Sequence, residues 1–270
     1  MYQTISENQR HEFIAKLQPV LPEIQYYLPS FLDRRIRFVM NKMGFADWHS
    51  FISYLDNNHS YDALFSFLMV PATEFFRDSL VWHTLFHTII PKLIKNDPCN
   101  IWFPDCSSGH ELYSLCMLLD ILNVRNQVHI YAGCKSQQII DKIQTGVYSA
   151  QCESMLVANY KNTEIPYDIS KYYTINYHSL ICNPELVSHV NFIHSSSLLE
   201  QEVTHISLIM YRNSLLYYTR DSQHTFITSM YKKMNFGAYL LLGIKEGENI
   251  FGLPALFSTY NKDLGLYRKK

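Results

Sequence analysis

The chain has 270 residues, of which 47% are hydrophobic and 17% are charged, so it can bury a large core and is too apolar for wholesale disorder. Its 23 Lys and Arg residues nearly balance its 24 Asp and Glu residues, which leaves a net charge of −1. Because positive charge is not in excess over negative charge, we expect neither nucleic acid nor an anionic membrane surface as a partner.

We also expect no membrane insertion and no metal site. The longest apolar runs, such as "ISLIM" and "YLLLGI", have the length of strands, and the first residues, "MYQTISENQRHEF", lack the pattern of a signal peptide. The six cysteines form no CxxC pair, and the pattern around His83 and His87 offers no third ligand. Cysteines scattered through apolar runs are typical of reduced thiols, so we expect a cytoplasmic protein.

Residues 1–70 predict a helical N-terminal domain. Ser6 and Asp47 are suited to begin helices, and Gly44 is suited to end one. Apolar residues recur at helical spacing around these positions, and no alternating segment rich in Val or Ile interrupts them. The pattern therefore favours a small helical bundle.

The pattern changes over residues 71–270. Short segments rich in β-formers alternate there with helical stretches; the segments are "NIWFPDC", "VHIYAGC", "THISLIMY" and "GAYLLLGI". Strands that alternate with helices predict an α/β fold with a parallel sheet covered on both faces. Residues at about 160–195 are rich in Tyr, Asn and Pro and interrupt the alternation, so we expect a small inserted subdomain there.

Ligands of an open α/β sheet bind at the carboxyl ends of its strands, and three predicted ends carry small or polar residues. The loop 105–111, "DCSSGHE", is either a simple turn or a place where a ligand approaches the backbone. Because it lacks the GxGxxG pattern, a nucleoside without phosphates is favoured over a dinucleotide. At the second end Cys134 and Lys135 stand where an acid normally binds the ribose diol. At the third end Arg212 and Asn213 follow an apolar run, where neither suits packing, which favours function.

Four motifs occur in one order along the chain: "TEFFRD", "CSSGHELYS", "KIQTGVYS" and "YRNSLLYY". In combination they resemble the CheR family of chemoreceptor glutamate methyltransferases, and the resemblance extends over residues 12–270. It implies an all-α N-terminal domain, residues 1–70, followed by a Rossmann-like methyltransferase domain, residues 71–270, with the small inserted subdomain. It also implies S-adenosylmethionine as the cofactor and a chemoreceptor or another signalling protein as the partner.

The resemblance further implies roles for single residues. Arg77 and Tyr217 are similar to family residues at the site of methyl transfer, and Glu111 is similar to an acid that holds the amino group of the cofactor. The implied cofactor-binding residues are Thr73, Arg77, Gly109, Glu111, Cys134, Ser197, Leu198, Asn213 and Ser214.

The chain departs from the family pattern at three positions. Cys134 stands where the family has its ribose-binding acid, Pro71 stands two residues ahead of the Thr of the first motif in place of Asn, and Ser197 replaces an Asn before a Leu-Leu pair. A thiol accepts hydrogen bonds weakly, so the loss of the acid is expected to weaken cofactor binding.

Three functions are therefore compared. The leading one is a divergent protein-glutamate O-methyltransferase that depends on S-adenosylmethionine and acts in chemotaxis-like signalling. The second is a catalytically weak or inactive CheR-like module that binds proteins in a signalling complex. The third, a small-molecule methyltransferase, would leave the N-terminal helical domain unexplained.

Overall fold

A computed structural model describes residues 4–57, 61–68, 73–95, 98–247 and 250–270. The N-terminal region is helical, as predicted. A single 3₁₀ turn, Pro22–Tyr26, separates the first two of its helices; the helices are α1 (Glu7–Leu17), α2 (Pro29–Met43), α3 (Trp48–Asn57) and α4 (Asp62–Leu68). The expected domain boundary at residues 70 and 71, and with it Pro71, lies outside the described residues.

The predicted helix caps are confirmed. Ser6 caps α1 in a capping box with Gln9, since each side chain accepts a hydrogen bond from the other residue's backbone N–H. Gly44 ends α2 in the left-handed conformation, with φ at 80°. The Asp47 carboxylate accepts from the Ser50 N–H at 2.8 Å, at the start of α3.

Within the described part of the chain, ten strands and seven further helices follow. The helices are α5 (Ser79–Thr84), α6 (Ile90–Leu93), α7 (His110–Ile121), α8 (Gln137–Thr145), α9 (Cys152–Lys161), α10 (Arg220–Lys233) and α11 (Leu253–Leu256), and a π-helical turn, Leu85–Ile89, joins α5 to α6. The strands are β1 (Cys99–Phe103), β2 (Val128–Cys134), β3 (Val147–Ser149), β4 (Tyr173–Asn176), β5 (Ser179–Cys182), β6 (Asn191–His194), β7 (Ile206–Met210), β8 (Met234–Leu241), β9 (Phe257–Asn261) and β10 (Leu266–Lys269).

The large sheet has seven strands in the order β6-β2-β1-β7-β8-β10-β9. The first five are parallel, and β10 and β9 complete the sheet in antiparallel pairing. The four segments predicted as strands correspond to β1, β2, β7 and β8, so the Rossmann-like α/β fold is confirmed. From β1 the chain adds β2 and β6 on one side of the sheet and then β7 and β8 on the other. The order of the strands therefore reverses between β1 and β7, and a crevice opens at their carboxyl ends.

Two cores cover the two faces of this sheet. Side chains of β1 alternate between them: Ile101 and Phe103 lie in one core, with helix α7, whereas Trp102 lies in the other. The second core also contains buried residues of the N-terminal helices, among them Phe13 and Leu17. The N-terminal region therefore packs on one face of the sheet through a continuous apolar core.

A second sheet, of three antiparallel strands in the order β3-β5-β4, is inserted between α8 and β6. It differs from the expected subdomain at 160–195. It begins at Val147, where the short strand β3 follows Gly146 in the left-handed conformation, and it ends at Cys182. The segment Asn191–His194 is β6, a half-exposed edge strand of the large sheet, and its four residues are too few for a clear pattern.

Among the described residues, no helix combines the length and the apolar character that crossing a bilayer requires. The same residues contain no cluster of three His, Cys, Asp or Glu side chains suited to a metal ion.

Candidate functional site

A cavity opens at the carboxyl edge of the sheet, between the loops that follow β1 and β7. The N-terminal region closes its far side with two aromatic residues. The lining residues are Tyr27, Phe31, Thr73, Phe103, Asp105, Cys106, Ser107, Ser108, Gly109, Glu111, Leu112, Met210, Arg212, Asn213, Ser214, Tyr217 and Tyr218.

The loop after β1 is held in place by its backbone. The Cys106 N–H donates to the Gly133 carbonyl at 2.7 Å, which fixes the loop to the neighbouring strand β2. Gly109 begins α7 with φ at 80°, and a Cβ there would lie 2.8 Å from the Tyr148 hydroxyl. Glycine is therefore needed for the conformation and for the close approach of the inserted sheet.

Arg212 is the central charge of the cavity. Its side chain is fully buried and forms ion pairs with Glu111 and Asp78, and its Nη1 also donates to the Arg77 carbonyl at 3.3 Å. A buried guanidinium is tolerated only when it is paired in this way. Two carboxylates against one guanidinium leave a net charge of −1 in this cluster. Glu111 and Arg212 line the cavity and Asp78 does not, so Glu111 is the group that would attract a cationic ligand group such as an ammonium or a sulfonium.

A short chain of hydrogen bonds supports another part of the wall, where Thr73 and Ser108 line the cavity and His110 contacts Ser108. The hydroxyls of Thr73 and Ser108 lie 2.5 Å apart, and the Ser108 hydroxyl lies 2.9 Å from Nδ1 of His110. Burial, assisted by the nearby positive charge of Lys142, lowers the pKa of His110 to about 4. The imidazole is therefore neutral near pH 7 and adds no charge to the wall.

The loop after β7 depends on a buried carboxylate. Glu246 is 2% exposed and accepts from the N–H groups of Asn213 at 2.7 Å, Leu216 at 3.2 Å and Gly243 at 2.6 Å. Burial raises the pKa of Glu246, although these three backbone donors oppose the shift. Tyr217, on the same loop, stacks on Phe31 of the N-terminal region with ring centroids 4.3 Å apart.

A second charged network lies at the end of β2. Nζ of Lys135 lies 3.2 Å from Asp105 and 3.3 Å from Glu23, and 3.4 Å from the Tyr27 hydroxyl. Burial lowers the pKa of Lys135, but the attraction of Asp105, Tyr27 and Glu23 outweighs it and the pKa is raised well above the ordinary value. Lys135 is therefore a buried cation that is held between two carboxylates.

Glu23, which comes from the 3₁₀ turn of the N-terminal region, extends this network to the end of β6. Its Oε1 accepts from the Ser197 hydroxyl at 2.9 Å and from the Leu198 N–H at 2.7 Å. Cys134 is also engaged, since its buried thiol donates to the Cys106 carbonyl at 3.4 Å.

The structure thus divides the ten residues to which the family resemblance assigns a role. Six of them line the cavity: Thr73, Gly109, Glu111, Asn213, Ser214 and Tyr217. The other four are not among its lining residues: Arg77, Cys134, Ser197 and Leu198.

Sequence reasoning missed the charged partners of these residues. Asp78 directly follows Arg77 in "TEFFRD", and Asp105 begins "DCSSGHE", but neither motif indicates which cation its acid would pair with. Glu246 carried one usable signal, an acid three residues after Gly243 at a strand end. Glu23 carried none, because its partners lie more than 100 residues away.

The donor set fits one half of S-adenosylmethionine better than the other. The Arg212 cluster and the small loop after β1 fit the cationic sulfur and the amino-acid portion. The resemblance implies that Cys134, Ser197 and Leu198 bind the nucleoside portion. In the structure Ser197 and Leu198 already donate to Glu23, and Cys134 offers only a thiol.

Comparisons with known proteins agree with the motifs. The sequence profile of the family described as "CheR methyltransferase, SAM binding domain" matches residues 71–265. The Cher3 protein of Pseudomonas putida is 26% identical over 206 residues, which cover 76% of each chain. Chemotaxis protein methyltransferase 2 of Vibrio cholerae is 24% identical over 258 residues, covering 90% of this chain and 85% of the relative. The chemotaxis protein methyltransferase of Listeria monocytogenes is 22% identical over 227 residues, covering 83% of this chain and 84% of the relative.

Proposed function

The chain belongs to the CheR methyltransferase family and carries that family's S-adenosylmethionine-binding domain, and we propose that it is a cytoplasmic protein-glutamate O-methyltransferase. Its substrate would be a chemoreceptor or a similar signalling protein. The observation that carries the proposal is the cavity at the carboxyl ends of β1 and β7, where Glu111 and Asp78 surround buried Arg212 with a net charge of −1.

The residues of this cavity would hold the amino-acid half of the cofactor. Glu111 would accept from its amino group, and Thr73, Asn213 and Ser214 lie on the surrounding walls. When bound, the cofactor supplies an electrophilic methyl group on a cationic sulfur. The negative charge around Arg212 favours that cation over a neutral group.

The chain's own task is orientation rather than proton transfer. A glutamate carboxylate is ionised near pH 7, so the reaction needs no general base and depends on alignment in a site without water. We assign the orienting role to Arg77 and Tyr217. Arg77 lies against the Arg212 cluster through its carbonyl, and Tyr217 is fixed at the cavity by its stacking on Phe31. Arg77→Lys would keep the charge but lose the planar guanidinium that can donate two parallel hydrogen bonds to a carboxylate, and should lower kcat by about tenfold.

The test is methyl incorporation from labelled S-adenosylmethionine into cytoplasmic fragments of chemoreceptors from the same cell. We expect label that is released by mild base, as carboxyl esters are, and none in fragments whose acceptor glutamates are replaced by glutamine. Glu111→Ala should abolish incorporation and weaken binding of S-adenosylhomocysteine in a calorimetric titration. Glu12→Ala, which removes an exposed carboxylate on α1, is the matched control and should change neither.

A second candidate is a module that binds signalling proteins with little or no catalysis. The observation that favours it is the pairing of Ser197 and Leu198 with Glu23, which leaves the nucleoside half of the cofactor without its donors. Receptor fragments that bind the parent chain tightly but acquire no label would support this candidate and contradict the methyltransferase.

A further inference from the structure

The crevice at the carboxyl edge of the sheet is divided in two. The cavity described above lies on one side of Lys135 and its carboxylate partners. On the other side lies a broad groove, which Lys135 itself also lines, together with Val20 of the N-terminal region, Ser136 and the segment 193–196 at the end of β6. Strand β6 pairs in register with β2, Cys134 opposite His194, so cavity and groove follow one continuous row of strand ends. The divider between them is the ion pair of Lys135 with Glu23.

A nucleoside bound along such a row places its ribose at the end of the second strand and its base beyond it. The resemblance to the CheR family implies that Ser197 and Leu198 bind the nucleoside at this place, and their donors are the Ser197 hydroxyl and the Leu198 N–H. Both already donate to one oxygen of Glu23, at 2.9 and 2.7 Å, and the other oxygen lies 3.3 Å from Lys135. The carboxylate of Glu23 thus takes the hydrogen bonds that a bound base would take.

We infer that Glu23 is an intramolecular competitor of the cofactor, and that Glu23 and Lys135 together set the affinity of the nucleoside half of the site. This inference rests on the proposed function, because it assumes that S-adenosylmethionine is the ligand. Binding would require the 3₁₀ turn Pro22–Tyr26 to withdraw Glu23 from Ser197 and Leu198.

The remaining charges allow this withdrawal. Lys135 would keep its second partner, Asp105, at 3.2 Å, so the cation would not be left unpaired. The Tyr211 hydroxyl is buried next to this network and has no hydrogen-bond partner among the described residues, so it is available to a ligand. The Tyr218 hydroxyl, 3.4 Å from Glu23, would keep its bond to Tyr27 at 3.1 Å.

The first test uses the unmodified chain and hydrogen exchange read by mass spectrometry. A bound ligand ordinarily slows amide exchange around its site. With saturating S-adenosylhomocysteine we therefore expect slower exchange in the peptide that contains residues 106–112. The peptide containing residues 21–27 should instead exchange faster, by about threefold or more, because its anchor is displaced. If residues 21–27 are slowed or unchanged while residues 106–112 are slowed, the cofactor binds and Glu23 is no competitor.

The second test is calorimetric titration of variants with S-adenosylhomocysteine. Glu23→Ala should bind it at least tenfold more tightly than the parent does. Glu23→Gln retains an acceptor oxygen but loses the charge that attracts Lys135, so its affinity should increase less. This variant replaces Glu23→Ala in the test if the alanine variant does not fold. Asp33→Ala breaks the ion pair of Arg10 with Asp33, which is also in the N-terminal region but lines neither the cavity nor the groove, and should stay within twofold of the parent.

The outcomes separate the inference from the proposed function. Unchanged affinity in Glu23→Ala, together with loss of binding in Glu111→Ala, would overturn the inference and leave the proposed function standing. Failure of the parent and of every Glu23 variant to bind S-adenosylhomocysteine at millimolar concentration would overturn both. Tighter binding in Glu23→Ala alone supports both.

Discussion

Buried charges determine the shape of the candidate site residue by residue. Arg212, Glu246 and Lys135 each lie in the interior, and each is paired with groups from a distant part of the chain. Leaving one member of such a set without its partner costs more than the set contributes as a whole, because the remaining group stays buried. Single substitutions at these positions should therefore have large effects on local geometry.

Glu246 gives the clearest prediction of this kind. Glu246→Gln replaces one of the two acceptor oxygens with an NH₂ group, which must face either the N–H of Leu216 at Oε1 or the N–H groups of Asn213 and Gly243 at Oε2, at a cost of about 1–3 kcal/mol. Because the Asn213 loop lines the cavity, S-adenosylhomocysteine should bind about tenfold more weakly, as measured by calorimetry. Glu12→Gln, at an exposed position on α1, should bind like the parent, and equal affinity in Glu246→Gln would show that the loop does not need this carboxylate.

His110 predicts a pH dependence of stability. Burial, with Lys142 nearby, lowers its pKa from 6.5 to about 4, so below pH 6.5 the unfolded chain takes up a proton that the folded chain refuses. The free energy of unfolding should therefore decrease as the pH falls, by about 2 kcal/mol from this residue between pH 7.5 and 5. Urea unfolding at both pH values measures it.

The control for that experiment is a second histidine variant. His110→Gln should remove most of the 2 kcal/mol difference. His11→Gln, at an exposed position on α1, should retain the slope of the parent. The same slope in His110→Gln as in the parent would contradict the assignment.

At the scale of elements, prediction from sequence depended on whether the signal was local. Caps such as Ser6 and Gly44 and the apolar strands β1, β2, β7 and β8 were predicted, because capping and periodicity are encoded within a few residues. The strand β3 and the edge strand β6 were missed, because three or four partly exposed residues show no period. Glu23 could not be predicted at a ligand site, since only the tertiary structure brings it to Ser197.

Two glycines with the same left-handed backbone conformation allow two costs of a Gly→Ala substitution to be separated: the cost of the backbone conformation and the cost of crowding in the loop after β1. Gly44 and Gly109 both have φ at 80°, but a Cβ at Gly44 would meet nothing within 4 Å, whereas at Gly109 it would meet Tyr148 at 2.8 Å. Gly44→Ala should cost about 1 kcal/mol, for the backbone conformation alone. Gly109→Ala should cost about 1–3 kcal/mol more, from overpacking. Urea unfolding of both variants measures the difference, and equal costs would contradict a tight contact between α7 and the inserted sheet.

At the scale of the whole molecule, the N-terminal region and the sheet should unfold together. Leu17 of α1 and Ile209 of β7 belong to one continuous core, and the ion pair of Glu23 with Lys135 joins the same two parts.

A fully buried leucine truncated to alanine costs about 2–5 kcal/mol. If the core is cooperative, Leu17→Ala should lower the free energy of exchange by a similar amount for the amides of Ile206–Met210, although none of them is altered. Hydrogen exchange under native conditions measures this, with Ile130→Ala, in the opposite core, as the comparison that defines a global loss. A loss confined to Glu7–Leu17 would mean that the helical region opens by itself. Glu23 could then leave the crevice without unfolding the sheet.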